Sequence, residues 1–236
     1  MLQSPLFSII VPAFNEEKNI ATCLQSIASQ NISKDVYEVI VVDNCSTDKT
    51  AEIAKKYQAK VVAEKKKGYV NALATGLNSA NNPLIVVTDA DSTQNPDWLL
   101  RLAEVFNKNP QIGYVTGTML YVPTDFYTSI INTVLNAGGQ LFNIGCGFHM
   151  AFRKDAWKKI APFPPNLNFN VDAWIAFEIK KKGYSRYFIR NNWVKTSARH
   201  IVGIVGLKYM AKSMLNLIGL LLFNKAFYYE FGDVRE

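Results

Sequence analysis

A chain of 236 residues, 49% hydrophobic and 19% charged, is long enough for one domain with a sizeable core and too apolar for wholesale disorder. The net charge of +7 is uneven, because residues 1–178 carry 15 basic and 16 acidic side chains while residues 179–229 carry ten Lys or Arg and no acid. Cys23, Cys45 and Cys146 have no C-x-x-C or framework spacing, which argues against a disulfide scaffold and for reduced thiols in a cytosolic setting.

Residues 6–11, LFSIIV, predict a strand, which leaves no room ahead of it for a signal peptide. PAFNEE at 12–17 leads into a predicted helix with Ile20, Leu24 and Ile27 at helical spacing. Asn15 reads as its N-cap, with Glu16 and Glu17 in the first turn. A second strand, 37–42, runs into the polar cluster 43–48, DNCSTD, and a helix over 49–57. A short strand at 61–63 precedes EKKKG at 64–68 and a helix over 69–79. Residues 84–87, LIVV, are uncharged and largely β-branched, as in a strand buried on both faces. The first ninety residues therefore predict β-α-β-α-β-α-β, a parallel sheet with helices on both faces. In such sheets ligands bind beyond the carboxyl ends of the strands.

Downstream, the pattern predicts helices over 98–107, 127–141, 155–160 and 171–182. It predicts strands over 113–121, 145–153, 187–189 and 193–195, and a Pro- and Asn-rich loop over 163–170. Residues 201–223 are apolar and interrupted by glycine.

Every polar cluster falls at a strand end. Asp89 and Asp91 follow LIVV one residue apart, and two such carboxylates are costly to bury unless a cation joins them. Mg²⁺ or Mn²⁺ completed by substrate phosphates would do so, and a solvated turn would explain the same residues. No G-x-G-x-x-G follows the first strand and no G-K-[ST] occurs, so dinucleotide and nucleoside-triphosphatase sites are disfavoured. Lys65, Lys66 and Lys67 ahead of a helix start suit phosphate instead.

FSIIVPAFNEE, VIVVDNCSTDKT, KKKGYVNALATG and IVVTDADS, in this order, resemble the inverting family 2 glycosyltransferases of GT-A fold over about residues 6–200. The resemblance implies that Pro12, Ala13, Phe14 and Glu16 line the base and ribose of a nucleoside-diphosphate sugar, of UDP or GDP type. It further implies that Asp43 reads the base edge, that Lys67 and Gly68 lie near the base or diphosphate, that Asp89 faces ribose or metal, and that Asp91 holds the metal. The resemblance places the family's catalytic base at a helix start, usually within a Glu-Asp pair, and the matching place is Val171-Asp172, where the first acid is missing and the second is kept. Asp172 also fits simple complementarity to the helix dipole. His149 is the reserve candidate for the base. His200 fits a third metal ligand, a phosphate contact or a surface histidine. The Q-x-x-R-W motif of processive synthases is absent, which points to transfer of a single sugar.

The expected architecture is thus α/β, a GT-A (Rossmann-like), mainly parallel sheet over 1–200 with an amphipathic extension over 201–236. In 201–223, Lys208, Lys212 and Asn216 recur as one polar stripe at i, i+4 and i+8. No stretch is apolar enough to span a membrane, and two mid-segment lysines would cost ~2.5–3.5 kcal/mol each at the bilayer centre. Lying in the interface of an anionic membrane is the favoured alternative, and packing as core helices the other. The expected acceptor is a lipid or glycan, with no nucleic acid partner. The expected location is cytoplasmic, peripheral at the inner face of the cell membrane. Two rivals are a sugar-nucleotide pyrophosphorylase, which would need a Gly-rich, Arg-bearing loop after the first strand, and a non-catalytic sugar- or lipid-binding module of the same fold.

Overall fold

The computed structural model describes residues 6–165, 167, 169–201 and 203–223. Strands β1 (Phe7–Ala13), β2 (Tyr37–Asp43), β3 (Lys60–Ala63) and β4 (Leu84–Val87) are separated by α1 (Ile20–Ala28), α2 (Thr50–Lys56) and α3 (Tyr69–Ser79). Next come β5 (Thr93–Gln94), α4 (Trp98–Lys108), β6 (Ile112–Val122), α5 (Phe126–Phe142), β7 (Met150–Arg153) and α6 (Lys154–Lys158). The described chain ends with α7 (Val171–Lys181), β8 (Ser185–Ser197), a 3₁₀ turn at Ala198–His200, and α8 (Gly203–Leu222).

The strands form one sheet in the order β3-β2-β1-β4-β7-β6-β8-β5. The first four are parallel to one another, and β7 enters antiparallel between β4 and β6. Alternation along each strand divides the core between two faces. Ile9, Val11, Val41 and Val86 pack with Ile20, Leu24, Leu99 and Phe106 of α1 and α4. Ile10, Ile40, Val42 and Ile85 pack with Leu73, Leu77, Trp157 and Ile175 of α3, α6 and α7. Burial on both faces explains why these strands read as continuous apolar runs. It also leaves their polar ends as the place where chemistry can collect.

Four expectations change. The strands expected at 187–189 and 193–195 are one strand, β8, whose pairing with β6 shifts between Ile189 and Trp193 and so absorbs the polar residues between them. The strand expected over 145–153 begins only at Met150, since the glycine-containing stretch before it is loop. Asn15 does not cap α1: the helix begins at Ile20, and Asn15 takes a left-handed backbone with φ 53°. On α8, Asn216 is 0% exposed and turned toward the domain, while Met214 is 62% and Leu222 72% exposed. The expected polar stripe is therefore not a single outward face, because one of its members is turned inward.

Candidate active site

The carboxyl ends of β1 and β2 are laced together by side chains. The Asn15 N–H donates to Ser46 Oγ at 3.0 Å, and the Thr47 N–H donates to Asn15 Oδ1 at 2.8 Å. The Glu16 N–H donates to Thr50 Oγ1 at 2.8 Å, and the Glu17 N–H to an Asp48 carboxylate oxygen at 3.0 Å. This lacing holds Pro12, Ala13, Phe14 and Glu16 beside Asp43, which accepts the Ser46 N–H at 3.2 Å. Asn44 adds the third loop: its amide donates to the Lys66 carbonyl at 2.9 Å and its Oδ1 accepts the Gly68 N–H at 2.8 Å. Gly68 opens α3 with φ 129°, a backbone that side-chain-bearing residues rarely adopt. Lys67 lies over the Phe14 ring with Nζ 4.8 Å from its centroid, a cation–π contact. The residues expected to receive a nucleotide are thus brought together as one rim.

Asp89 and Asp91 follow the end of β4. Thr196 Oγ1, near the end of β8, donates to Asp91 Oδ1 at 2.9 Å. Arg199 Nη2 reaches Asp91 Oδ2 at 3.2 Å and also forms an ion pair with Glu16. Burial works against the Arg199 charge, but the hydrogen bond to Glu16 and the charges of Asp91, Glu16 and Asp89 outweigh it and hold its pKa above the ordinary value. Arg199 therefore gathers Glu16, Asp89 and Asp91 into one electrostatic unit. The His200 backbone ends the 3₁₀ turn, and its side chain, the second proposed metal ligand, lies outside the described residues. Thr196 and Arg199 were not singled out from sequence. For Arg199 the signal is its place in SARH at 197–200, directly after the last strand, and Thr196 has no comparable one.

Asp172 stands in the first turn of α7, and its Oδ1 accepts the Ala173 N–H at 2.8 Å. Burial pushes its carboxyl up to about 6, against the lowering effect of N–H bonds from Ala173, its own backbone and Gly147. The Cys146 thiol is pushed up by burial and by the charges of Asp172 and Asp89. One thiol thus lies within electrostatic reach of both Asp172 and the acidic end of β4.

His149 does not fit the role of reserve base. It is 0% exposed, its Nδ1 contacts the Thr118 carbonyl at 3.3 Å, and burial pushes its pKa down to about 3. A group that no acceptor can reach cannot take a proton from one. The ring packs at 62° to Trp98 with centroids 6.2 Å apart, which is a core role.

Among the described residues no group of three or more His, Cys, Asp or Glu side chains could hold a metal ion unaided. Two hard carboxylates at a strand end do fit Mg²⁺ or Mn²⁺ whose remaining ligands come from substrate phosphates and water.

The family model for glycosyl transferase family 2 matches residues 8–160, which include β1 to β4 and both aspartates after β4. The chain belongs to this family. In sequence it is similar to the glycosyltransferase AglE of Haloferax volcanii, 27% identical over 198 residues, covering 78% of this chain and 64% of that protein. It is also similar to a dolichyl N-acetyl-alpha-D-glucosaminyl phosphate 3-beta-D-2,3-diacetamido-2,3-dideoxy-beta-D-glucuronosyltransferase of Methanococcus voltae, 28% identical over 149 residues, covering 57% of this chain and 46% of that one. The chain therefore spans less than two thirds of either relative. In structure it is similar to the mannosyltransferase PcManGT of Pyrobaculum calidifontis, solved with GDP-Man and Mn²⁺, with a TM-score of 0.75, 25% identity and coverage of 94% of this chain and 66% of that one. It shares its fold with S. aureus TarS 1–349, solved with UDP-GlcNAc, at a TM-score of 0.67 and 21% identity, with coverage of 94% and 68%. The architecture is the GT-A fold of family 2, and the pyrophosphorylase alternative loses its basis. Asp172 and Arg199 lie beyond the residues that the family model matches.

Proposed function

We propose that this chain is an inverting, metal-dependent glycosyltransferase that moves one sugar from a nucleoside-diphosphate sugar, of UDP or GDP type, to a hydroxyl of a membrane lipid or glycolipid. The observation that carries the reading is a pair of unlike acidic centres, one at Asp172 and one at the end of β4, both within electrostatic reach of Cys146. Asp91 is bound by a cation, Arg199, at the end of β4, and Asp172 stands apart from it with its carboxyl pushed up to about 6. Transfer with inversion needs those two environments: charge compensation for the leaving diphosphate, and a base matched to neutral pH.

In this mechanism Pro12, Ala13, Phe14, Glu16 and Asp43 receive the nucleoside, and Lys67 and Gly68 stand near the base or diphosphate. Asp91, with Asp89 beside it, would hold Mg²⁺ or Mn²⁺, which screens charge on the leaving group when bound. The Asp172 carboxylate takes the proton of the acceptor hydroxyl. The acceptor oxygen forms its bond to the anomeric carbon from the face opposite the leaving group. The bond from that carbon to the diphosphate oxygen breaks, the electron pair leaves with the nucleoside diphosphate, and the proton remains on Asp172. A thermal-shift screen of UDP, GDP and dTDP sugars with Mn²⁺ tests the donor reading. One nucleotide class is expected to raise the melting temperature, and no shift with any of them would contradict it.

The acceptor reading rests on α8. Among the described residues no helix is long and apolar enough to cross a membrane. Yet α8 turns Met214, Leu215, Ile218 and Leu222 outward within a stretch of sequence that carries ten basic residues and no acid over 179–229. An apolar helix face bordered by lysine favours burial at the headgroup level of anionic lipid. The full chain is expected to float with anionic vesicles. A variant carrying Leu215→Ser, Ile218→Ser and Leu222→Ser is expected to lose at least about ten-fold in vesicle affinity, because buried CH₂ groups at ~0.8 kcal/mol each are removed. Equal flotation of the two folded proteins would make a soluble acceptor the better reading. A non-catalytic module of the same fold would instead bind donor without consuming it.

A further inference from the structure

Asn170 precedes α7 with φ 50° and ψ 41°, a left-handed conformation that asparagine tolerates better than most residues. Its carbonyl accepts the Trp174 N–H at 3.0 Å and so starts the helix. An asparagine in this position ordinarily turns its side chain onto the free N–H groups of its own helix. Here it makes no such bond. Both ends of the amide are given to α8 instead: Nδ2 donates to Ser213 Oγ at 2.6 Å, and Oδ1 accepts from Asn216 Nδ2 at 3.1 Å.

Asn216 is fully buried in a helix whose outward face is apolar. A buried amide costs free energy unless it is bonded, so an apolar residue would serve simple packing as well or better. What a bonded polar group adds is a fixed position, because its partner must sit where the bonds can form. The position fixed in this case is that of Asn170, two residues before Asp172.

We propose that Asn170 is a positioning residue for Asp172, held in place by Ser213 and Asn216, so that α8 is part of the catalytic unit and not only an attachment to the membrane. The inference rests on the reading of Asp172 as the base. Burial raises the Asp172 carboxyl while N–H bonds from Ala173, its own backbone and Gly147 lower it, and its charge in turn acts on Tyr114 of β6, with Arg186 of β8 beside it, and on Cys146 ahead of β7. The contribution of α8 is therefore geometric, through hydrogen bonds. A carboxylate displaced by about 1 Å from its line to the acceptor hydroxyl loses rate, while the nucleotide rim formed by β1, β2 and β4 is left intact.

The test uses the full chain with Asn216→Leu, which keeps the size and removes the donor, and Asn216→Gln, which keeps a donating amide. Nucleotide affinity is read by calorimetry, and turnover and its pH profile from release of nucleoside diphosphate. Asn216→Leu is expected to bind nucleotide within about two-fold of the wild type. Its turnover is expected to fall about 10- to 100-fold, the scale of a misplaced catalytic group, with the acid limb of the profile displaced. Asn216→Gln is expected to recover most of that turnover. If Asn216→Leu does not fold, Asn170→Gly carries the test, because glycine accepts the same backbone and removes only the amide. Wild-type turnover and an unmoved pH profile in a folded variant would overturn the inference, as would equal losses of nucleotide affinity and turnover. Failure of the underlying reading looks different, because Asp172→Asn would then keep wild-type turnover.

Discussion

Asp172→Asn is expected to lower turnover by ~10²–10⁴-fold, the usual contribution of a positioned base, while leaving donor affinity close to that of the wild type. The substitution keeps the oxygen that accepts the Ala173 N–H, so the first turn of α7 is preserved. It removes only the basic oxygen. Because burial pushes the Asp172 carboxyl up to about 6, wild-type turnover is expected to rise as pH climbs through about 6 and then level off. The asparagine variant has no such limb.

Stability moves in the opposite direction. The folded carboxyl binds its proton more tightly than the unfolded one, about 6 against 3.8. Between those values the native state holds more protons than the unfolded state, so stability falls as pH rises through that window and the loss persists above it. Asp172→Asn abolishes this titration. The variant is expected to melt above the wild type at pH 7.5 and to lose that advantage near pH 4, as measured by thermal denaturation at both values. A residue whose replacement raises stability and removes activity behaves as a functional group held at a cost. Wild-type turnover in the variant would place the base elsewhere, and the buried His149 would not be its replacement.

Asp91→Ala is expected to erase the increment in nucleotide affinity that Mn²⁺ gives the wild type, an increment expected to be about ten-fold or more, equal to ~1.4 kcal/mol. Without substrate, Asp91 is neutralised by Arg199 and bonded by Thr196. A divalent ion must compete with that guanidinium, and the diphosphate tips the balance by bringing further oxygen ligands. Metal and nucleotide are thus expected to bind together far better than either does alone. Arg199→Gln separates the two effects, since it leaves the carboxylate and removes its competitor. Mn²⁺ without nucleotide is expected to bind that variant more tightly than the wild type. Calorimetric titration of the three proteins checks both statements, and an equal Mn²⁺ increment in Asp91→Ala would remove Asp91 from the metal site.

The half of the fold proposed to bind nucleotide was legible because burial on both faces writes its strands as unbroken apolar runs. LIVV at 84–87 and VIVV at 39–42 could be little else. The polar residues then had to fall at the ends, which is where Asp43, Asp89 and Asp91 stand. Legibility failed where long-range partners decide the structure. Asn15 looked like a helix cap because its bond to the Thr47 N–H, from a residue 32 positions away, leaves no local trace. β8 looked like two strands because Arg190, Asn191 and Asn192 interrupt the apolar pattern, and only the shifted pairing with β6 carries the strand through them. Asn216 looked like part of a water-facing stripe because its spacing matched Lys208 and Lys212. Nothing local shows that Asn170 awaits it. Arg199 is legible as a partner of Glu16 and Asp91 only once the fold brings them together.

The most direct test of the account is the fate of the anomeric carbon. The full chain is incubated with the donor class found by thermal shift, Mn²⁺ and a glycolipid bearing free hydroxyls in vesicles, and the product is examined by NMR. The account predicts release of nucleoside diphosphate in step with product, with the sugar joined in the anomeric configuration opposite to that in the donor. Retention of configuration, or no consumption of any UDP or GDP sugar, would contradict it.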